Sequence, residues 1–150
     1  MSIYDVIKDD HRKVIQLFED IRECRDPDDR FALFENLREE LTIHAKAEER
    51  VFYRRLEKDA GARERLEESI DEHRTMETLL ARLQDLEPNS SQFESTLNDL
   101  EEVVQDHVRE EESDLFQRAR RVVGDDSDNS IARQFQNEKG RIQGRDFSPV

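Results

Sequence analysis

The sequence predicts an all-α protein: an up-down-up-down four-helix bundle followed by a polar C-terminal tail. Charged residues make up 41% of the 150-residue chain, which contains only 4 Gly and 3 Pro, and this composition is typical of long helices. Apolar residues recur every three or four positions along four long segments, as on the buried face of a helix. Only short loops separate these segments, and such loops join antiparallel neighbours in helical bundles.

Capping signals delimit the four helices. A side chain at each predicted helix start can accept hydrogen bonds from the first free backbone N–H groups. These capping residues are Ser2 with Asp5, Asp26 before Pro27, and the segment Asn89-Ser90-Ser91. Gly61, Pro88 and Gly124 are predicted to stop the second, third and fourth helices. The predicted helices therefore span about 3–25, 27–59, 62–86 and 91–123.

Residues 1–123 form the predicted bundle domain, and residues 124–150 form the polar tail. The tail contains Gly and Pro, yet Ile131 and Phe135 are four residues apart, which is the spacing of one helical face. A short helix of one or two turns docked on the bundle and a mobile tail are both open interpretations.

The net charge of −14 argues against nucleic acid and anionic membrane surfaces as partners, because both are negatively charged. No run of about 18 apolar residues is present, and the N-terminus lacks the basic and apolar regions of a signal peptide. The single cysteine, Cys24, excludes an internal disulfide and suits a reducing compartment. We therefore expect a cytoplasmic protein that does not span a membrane.

The two halves of the chain repeat each other, and the repeat includes every histidine. The acidic residue and histidine at positions 10–11 recur 62 residues later at positions 72–73. The pattern His-x-x-x-Glu-Glu begins at His44 and again 63 residues later at His107. The chain therefore reads as one helical hairpin used twice.

All four histidines are predicted to face the bundle core at one depth. Each lies on the apolar seam of its own helix, and their distances from the predicted turns agree to within about one helical turn. A single core histidine is more often a hydrogen-bonded packing residue than a ligand. Four at one depth favour a shared metal site, made by His11, His44, His73 and His107.

Two glutamates strengthen this interpretation. Glu48 and Glu111 each follow a histidine by four residues, so each lies on the same helical face as that histidine. A carboxylate in a bundle core must pair with a cation or bind a metal, and no lysine or arginine lies on these seams near the histidines. Four imidazoles and two carboxylates exceed one zinc site and suit a dinuclear centre of iron or manganese.

Helical geometry also bears on three residues near the predicted site. Glu77 lies four residues after His73, so it is either a further ligand or an exposed glutamate at the rim. Tyr53 lies about 180° around the helix from His44 in regular geometry, so it is not expected to be a metal ligand. Tyr4 lies two turns before the first histidine on the same face, where packing is favoured over a hydrogen bond near the pocket.

This pattern resembles the hemerythrin-like family, also called the HHE cation-binding domain. The resemblance covers about residues 3–121 and rests on the doubled His-x-x-x-Glu-Glu followed by an aromatic turn. It implies two iron ions linked by an oxo or hydroxo group. The implied ligands are, for one iron, His11 and His44, for the other, His73 and His107, and, as bridges, Glu48 and Glu111.

The chain departs from the oxygen-carrying members of that family, which have a fifth histidine. Where their third helix reads His-x-x-x-His, this chain has Glu77 four residues after His73. In this respect it looks like the di-iron proteins associated with iron–sulfur repair and nitric oxide stress. The resemblance implies a protein that binds or reacts with dioxygen, peroxide or nitric oxide.

An oxidoreductase activity is left open by the sequence. No flavin or nicotinamide motif is present, so electrons for turnover have to come from a redox protein partner. Iron storage, donation or sensing is the alternative function, and a metal-free helical interaction module is a third.

Overall fold

The computed structural model describes residues 1–146, with side chains described to residue 144. Every regular element in this range is helical, which confirms the predicted fold class. Among these helices, none is both long and apolar enough to cross a membrane. The α-helices are α1 (Ile3–Glu23), α2 (Pro27–Ala47), α3 (Ala60–Gln84), α4 (Ser91–Glu110), α5 (Phe116–Val123) and α6 (Ser130–Asp146). α1 packs chiefly against α2 and α3 against α4, which makes two helical hairpins.

Three predicted helix starts are confirmed, at the N-cap residues Ser2, Asp26 and Ser90. Each of these side chains accepts a hydrogen bond from the backbone N–H of the residue three positions later. Gly124 ends α5 with a φ of 75°, a conformation that glycine adopts without steric cost. The prediction that Gly61 stops the second helix is wrong. Gly61 lies in the first turn of α3, where Asp59 occupies the N-cap position and its carbonyl accepts the first backbone hydrogen bonds.

The second and fourth predicted helices each contain a π-helical turn, at Glu48–Phe52 and Glu111–Leu115. In each turn a backbone N–H bonds to the carbonyl five residues back. The wider turn accommodates one extra residue and changes the direction of the side chains that follow it. A short 3₁₀ turn, Tyr53–Arg55, then ends the second helix.

Two apolar clusters fill the bundle, and the histidine layer lies between them. One cluster surrounds the N-terminus of α1, the π-helical turns and α6, with the fully buried rings of Phe52, Phe116 and Phe135. The other fills the opposite end of the bundle, around Phe18, Phe34 and Phe93. Because protein interiors are close-packed, these clusters hold the intervening side chains in place.

The predicted tail forms a helix of 17 residues, longer than the one or two turns that were considered. α6 packs against α1 and α2 and buries Ile131, Phe135 and Ile142. The buried carboxylate of Asp126 anchors this end, accepting hydrogen bonds from backbone N–H groups at the starts of α1 and α6 at 2.9 to 3.0 Å. Residues 147–150 of the predicted tail lie outside the described residues.

Candidate metal centre

The four histidines meet in the middle of the bundle, one from each of α1 to α4. All are buried, with 3 to 6% of each residue exposed. The imidazole ring centroids are 5.1 Å apart for His11 and His44 and 4.7 Å apart for His73 and His107. The structure therefore brings together the four residues that the repeat predicted.

Two fully buried carboxylates lie among these rings. Glu48 and Glu111 are the first residues of the two π-helical turns. The potential ligand atoms fall into two groups, within each of which all atoms lie within 4.8 Å of one another: His11, His44, Glu48 and Glu111, and Glu48, His73 and His107. Glu48 belongs to both groups, which is the position of a ligand shared by two metals.

Each histidine is oriented by a second carboxylate, which the Nδ1 atom contacts at 2.7 to 2.8 Å. The pairs are His11 with Glu112, His44 with Asp10, His73 with Glu49, and His107 with Glu72. A carboxylate accepts the Nδ1–H hydrogen, which leaves Nε2 as the lone-pair nitrogen that faces inward. This arrangement is typical of metal-binding histidines, in which the partner fixes the tautomer and ring orientation.

Sequence reasoning missed these four orienting carboxylates, although the repeat contained their signal. They are the acidic residue before the histidine in one repeat unit and the second glutamate of His-x-x-x-Glu-Glu in the other. Glu49 and Glu112 each orient a histidine of the opposite hairpin, a contact that spacing along one helix does not predict.

Several inward atoms lack any hydrogen-bond partner. Among the buried side-chain atoms of the described residues, those without a partner include His11 Nε2, His44 Nε2, Glu48 Oε2 and Glu111 Oε1. His11 Nε2 lies 3.0 Å from Glu111 Oε1, but with Nδ1–H already donated both atoms present lone pairs. Buried lone pairs aimed at one another are costly unless a proton or a cation lies between them. The donor set therefore fits a metal centre.

The histidines and the buried carboxylates shift one another's pKa values. Burial lowers the pKa of His44, but the charge of Glu48 and the hydrogen bond to Asp10 outweigh that effect and raise it to about 10. Burial raises the pKa of Glu48, but the neighbouring imidazoles outweigh it and hold that pKa well below its usual range. Positive charge is thus favoured at the centre of the cluster.

Tyr53 faces the cluster and not the opposite side of the helix, because the π-helical turn at Glu48–Phe52 breaks the regular geometry from which its direction was predicted. The Tyr53 hydroxyl donates to Glu111 Oε2 and lies 3.2 Å from Glu48 Oε1. Its ring stacks on His73 with an interplanar angle of 8°. Burial, followed by the charges of Glu111 and Glu48, raises the pKa of Tyr53 well above its usual range, so the phenol keeps its proton.

Glu77 is not brought into the cluster. Its side chain is exposed and lines a groove on the outside of α2 and α3. The buried seam of α3 continues from His73 through Met76 and not through Glu77, which lies about 100° around the helix from Met76 on the exposed side. The predicted role of Glu77 as a ligand is therefore not supported by its position.

Tyr4 has the packing role that was favoured for it. Its ring contacts Phe52 and Phe116 edge to face, and its hydroxyl donates to the Gly124 carbonyl at 2.7 Å. Cys24 lies at the C-terminal cap of α1, away from the cluster as expected.

A small apolar cavity of about 10 Å³ touches all four imidazole rings. Its other walls are apolar side chains, among them Val14, Leu41, Met76 and Val104. A groove of about 400 Å³ along α2 and α3 shares Leu41, His73 and Met76 with this cavity. The groove therefore lies beside the histidine layer, separated from it by these shared side chains.

Known proteins are similar to this chain in sequence and fold. The family model described as the hemerythrin HHE cation binding domain matches residues 2–119. A Nostoc protein named DNA nickase is 35% identical over 145 residues, which cover 97% of this chain but 41% of that protein. An uncharacterized hemerythrin-like protein of Schizosaccharomyces pombe is 29% identical over 139 residues, covering 91% of this chain and 68% of that protein.

A solved structure supports the same fold. The crystal structure of a hemerythrin HHE cation binding domain-containing protein from Mycobacterium kansasii superposes with a TM-score of 0.80 at 24% identity, covering 99% of this chain and 95% of that one. The family match, the paired His-x-x-x-Glu-Glu motifs and the buried cluster agree. The chain therefore belongs to the hemerythrin HHE cation-binding domain family.

Proposed function

We propose that this chain is a non-haem di-iron protein that binds or reacts with a small oxidant: dioxygen, peroxide or nitric oxide. The observation that carries the proposal is the cluster itself, in which four inward Nε2 atoms and two fully buried carboxylates form two ligand groups sharing Glu48. The proposed bundle unit is residues 1–123. The proposed ligands are His11, His44, Glu48, His73, His107 and Glu111.

Iron is favoured by the type and number of donors. Mixed imidazole and carboxylate ligation without thiolates suits iron, whereas structural zinc sites usually have four ligands and often use cysteine. Two bound irons supply electrons to a ligand and act as a Lewis acid at an open coordination position. We expect an oxo or hydroxo group to complete the bridge between them.

The cavity supports a small oxidant as the ligand. Its apolar walls and its volume of about 10 Å³ leave room for about one water-sized molecule. Larger organic substrates do not fit beside the four rings without movement of α2 or α3. The Tyr53 hydroxyl contacts both buried carboxylates, donates a hydrogen bond to Glu111 and keeps its proton.

Turnover at this centre needs electrons from another protein, since the chain carries no flavin or nicotinamide motif. The chain spans about two fifths of the Nostoc DNA nickase, and its net charge of −14 gives no reason to carry DNA cleavage over. The alternative function for this site is iron storage, donation or sensing, in which the metal dissociates readily.

Metal analysis of the purified protein tests the proposal. We expect two irons per chain with oxo-to-iron absorption bands, and we expect the Glu48→Gln variant to lose at least one iron. Glu77→Gln is the matched control, because the same change outside the cluster should leave both irons bound. Fewer than two irons per wild-type chain after reconstitution with ferrous iron would contradict the proposal, and rapid loss of iron to a chelator favours storage or donation.

A further inference from the structure

We propose that Lys139 of α6 differentiates the two metal positions by neutralising the carboxylate behind His44, which keeps the reduction potential of the metal held by His11 and His44 from falling. The inference rests on the proposed di-iron function. It assigns a role to α6, which lies beyond the residues matched by the family model.

The four orienting carboxylates are alike in their contacts with Nδ1 but differ in burial. The side chains of Glu112, Glu49 and Glu72 are 31, 39 and 23% exposed, so water screens their charge. The side chain of Asp10 is only 4% exposed. A buried carboxylate interacts with the imidazole, and through it with the metal, in a medium of lower effective dielectric constant.

Lys139 pairs with this buried carboxylate. Its ammonium nitrogen lies 2.7 Å from Asp10 Oδ1, while Asp10 Oδ2 accepts the hydrogen bond of His44 at 2.8 Å. The Lys139 side chain is itself 16% exposed. The chain of contacts from Lys139 through Asp10 to His44 therefore places a positive charge behind one imidazole of the cluster.

Two neighbouring residues of α6 hold Lys139 in this position: Phe135, one helical turn earlier, and the adjacent Glu138. The ring of Phe135 packs edge-on against His44 with centroids 5.9 Å apart, and the Lys139 ammonium lies 5.7 Å from the Phe135 centroid. Glu138 pairs with Arg50 of the π-helical turn at 3.1 Å. Phe135 is fully buried and Asp10 nearly so, and in such surroundings the electrostatic effect of the ammonium is stronger than in water.

The charges of Asp10 and Lys139 have opposite effects on the reduction potential of the metal that His44 binds. A carboxylate that pulls on Nδ1–H makes the imidazole a stronger donor to the metal and stabilises the oxidised state. The ammonium withdraws part of that effect from His44. Loss of the ammonium charge should therefore lower the potential of the metal at His11 and His44 and raise the affinity of that position for a cation.

Spectroelectrochemistry of the two-iron protein at pH 8 tests this. For Lys139→Met we expect the potential of one of the two one-electron couples to fall by about 59 mV, which is a tenfold change in its equilibrium constant towards the oxidised state. This is the size expected for a unit charge on the order of 10 Å from the metal. Lys139→Arg should keep the wild-type potentials, and so should Arg141→Met, which removes an exposed charge from the same helix. In an Asp10→Asn background, Lys139→Met should have no further effect.

Helical content measured by circular dichroism shows whether α6 stays folded in the variants. For Lys139→Gln, which retains a hydrogen bond to Asp10, we expect the same shift in potential as for Lys139→Met. Titration with cobalt(II), followed by its absorption spectrum, gives a second readout, in which Lys139→Met should bind one equivalent about tenfold more tightly. Unchanged potentials in Lys139→Met, or an equal shift in Lys139→Arg, would refute this inference alone. Wild-type protein that fails to bind two metals would instead refute the proposed function beneath it.

Discussion

Replacing Tyr53 by phenylalanine removes one hydroxyl from the bridging carboxylates and leaves the ring that stacks on His73. The hydroxyl donates to Glu111 Oε2 and lies 3.2 Å from Glu48 Oε1. Both carboxylates are fully buried, so no water replaces the lost donor. A hydrogen bond to a buried charged group contributes about 1.5–3 kcal/mol. We therefore expect Tyr53→Phe to lower the free energy of unfolding of the metal-free protein by about 2 kcal/mol.

Bound metal should reduce this effect. Two cations neutralise the carboxylates that the phenol otherwise stabilises, so the remaining loss should be that of an ordinary hydrogen bond, about 1 kcal/mol. The stabilisation gained on metal binding should accordingly be larger in Tyr53→Phe than in the wild type, by about 1 kcal/mol. Urea unfolding of the metal-free and the anaerobic ferrous protein, each fitted by linear extrapolation, measures both quantities.

Tyr4→Phe is the matched control for this experiment. The Tyr4 hydroxyl donates to the Gly124 carbonyl at 2.7 Å, and burial, partly offset by the charge of Arg120, raises the Tyr4 pKa to about 12, so it too is a protonated donor. It does not touch the cluster, so its loss should cost about 1 kcal/mol with or without metal. If the two variants destabilise the metal-free protein equally, or if metal leaves the Tyr53→Phe effect unchanged, the reasoning about the buried carboxylates is refuted.

Glu72, His44 and Asp126 each make a contact whose contribution can be measured. Glu72→Gln should weaken iron binding about 10–100-fold, because Glu72 orients His107, whereas Glu77→Gln should leave the binding isotherm unchanged. Iron binding should release protons and weaken as the pH falls, since the pKa of His44 is raised to about 10 and a bound metal displaces the imidazole proton. Calorimetry in buffers of different ionisation enthalpy measures the release, and a pH-independent affinity would contradict the prediction. Asp126→Ala should lower the free energy of unfolding by about 3 kcal/mol, because buried N–H groups of α1 and α6 lose their acceptor. The rate of amide hydrogen exchange should rise first in α6. A uniform rise across all helices would argue against a local anchor.

Much of the site could be predicted from sequence because the chain is a repeat of regular helices up to the carboxylates. In a regular helix, His44 and Glu48 share a face and the turns set the depth of each imidazole. The same reasoning failed just beyond Glu48, where the π-helical turn begins and Tyr53 is redirected towards the cluster. A π-helical turn has no strong local sequence signal, so its effect on Tyr53 was not predictable.

Two other features depended on contacts between elements that are distant in sequence. The seam of α3 could pass from His73 to Met76 or to Glu77 with nearly equal spacing, and packing against α4 decides for Met76. The tail has few apolar residues, and its helical length follows from docking against α1 and α2 and from the Asp126 anchor. Lys139 reaches Asp10 across 129 residues, which no pattern within either segment indicates.

The orienting carboxylates explain why the two hairpins must act together. Within the first hairpin Asp10 orients His44, but Glu49 reaches across to His73 of the second. Within the second hairpin Glu72 orients His107, and Glu112 reaches back to His11. Each hairpin therefore supplies ligands that only the other can orient, and Glu48 belongs to both ligand groups. Because metal affinity depends on these partners, an isolated hairpin lacks half of the orientation it needs, and binding of metal at either position favours the packing of one hairpin on the other.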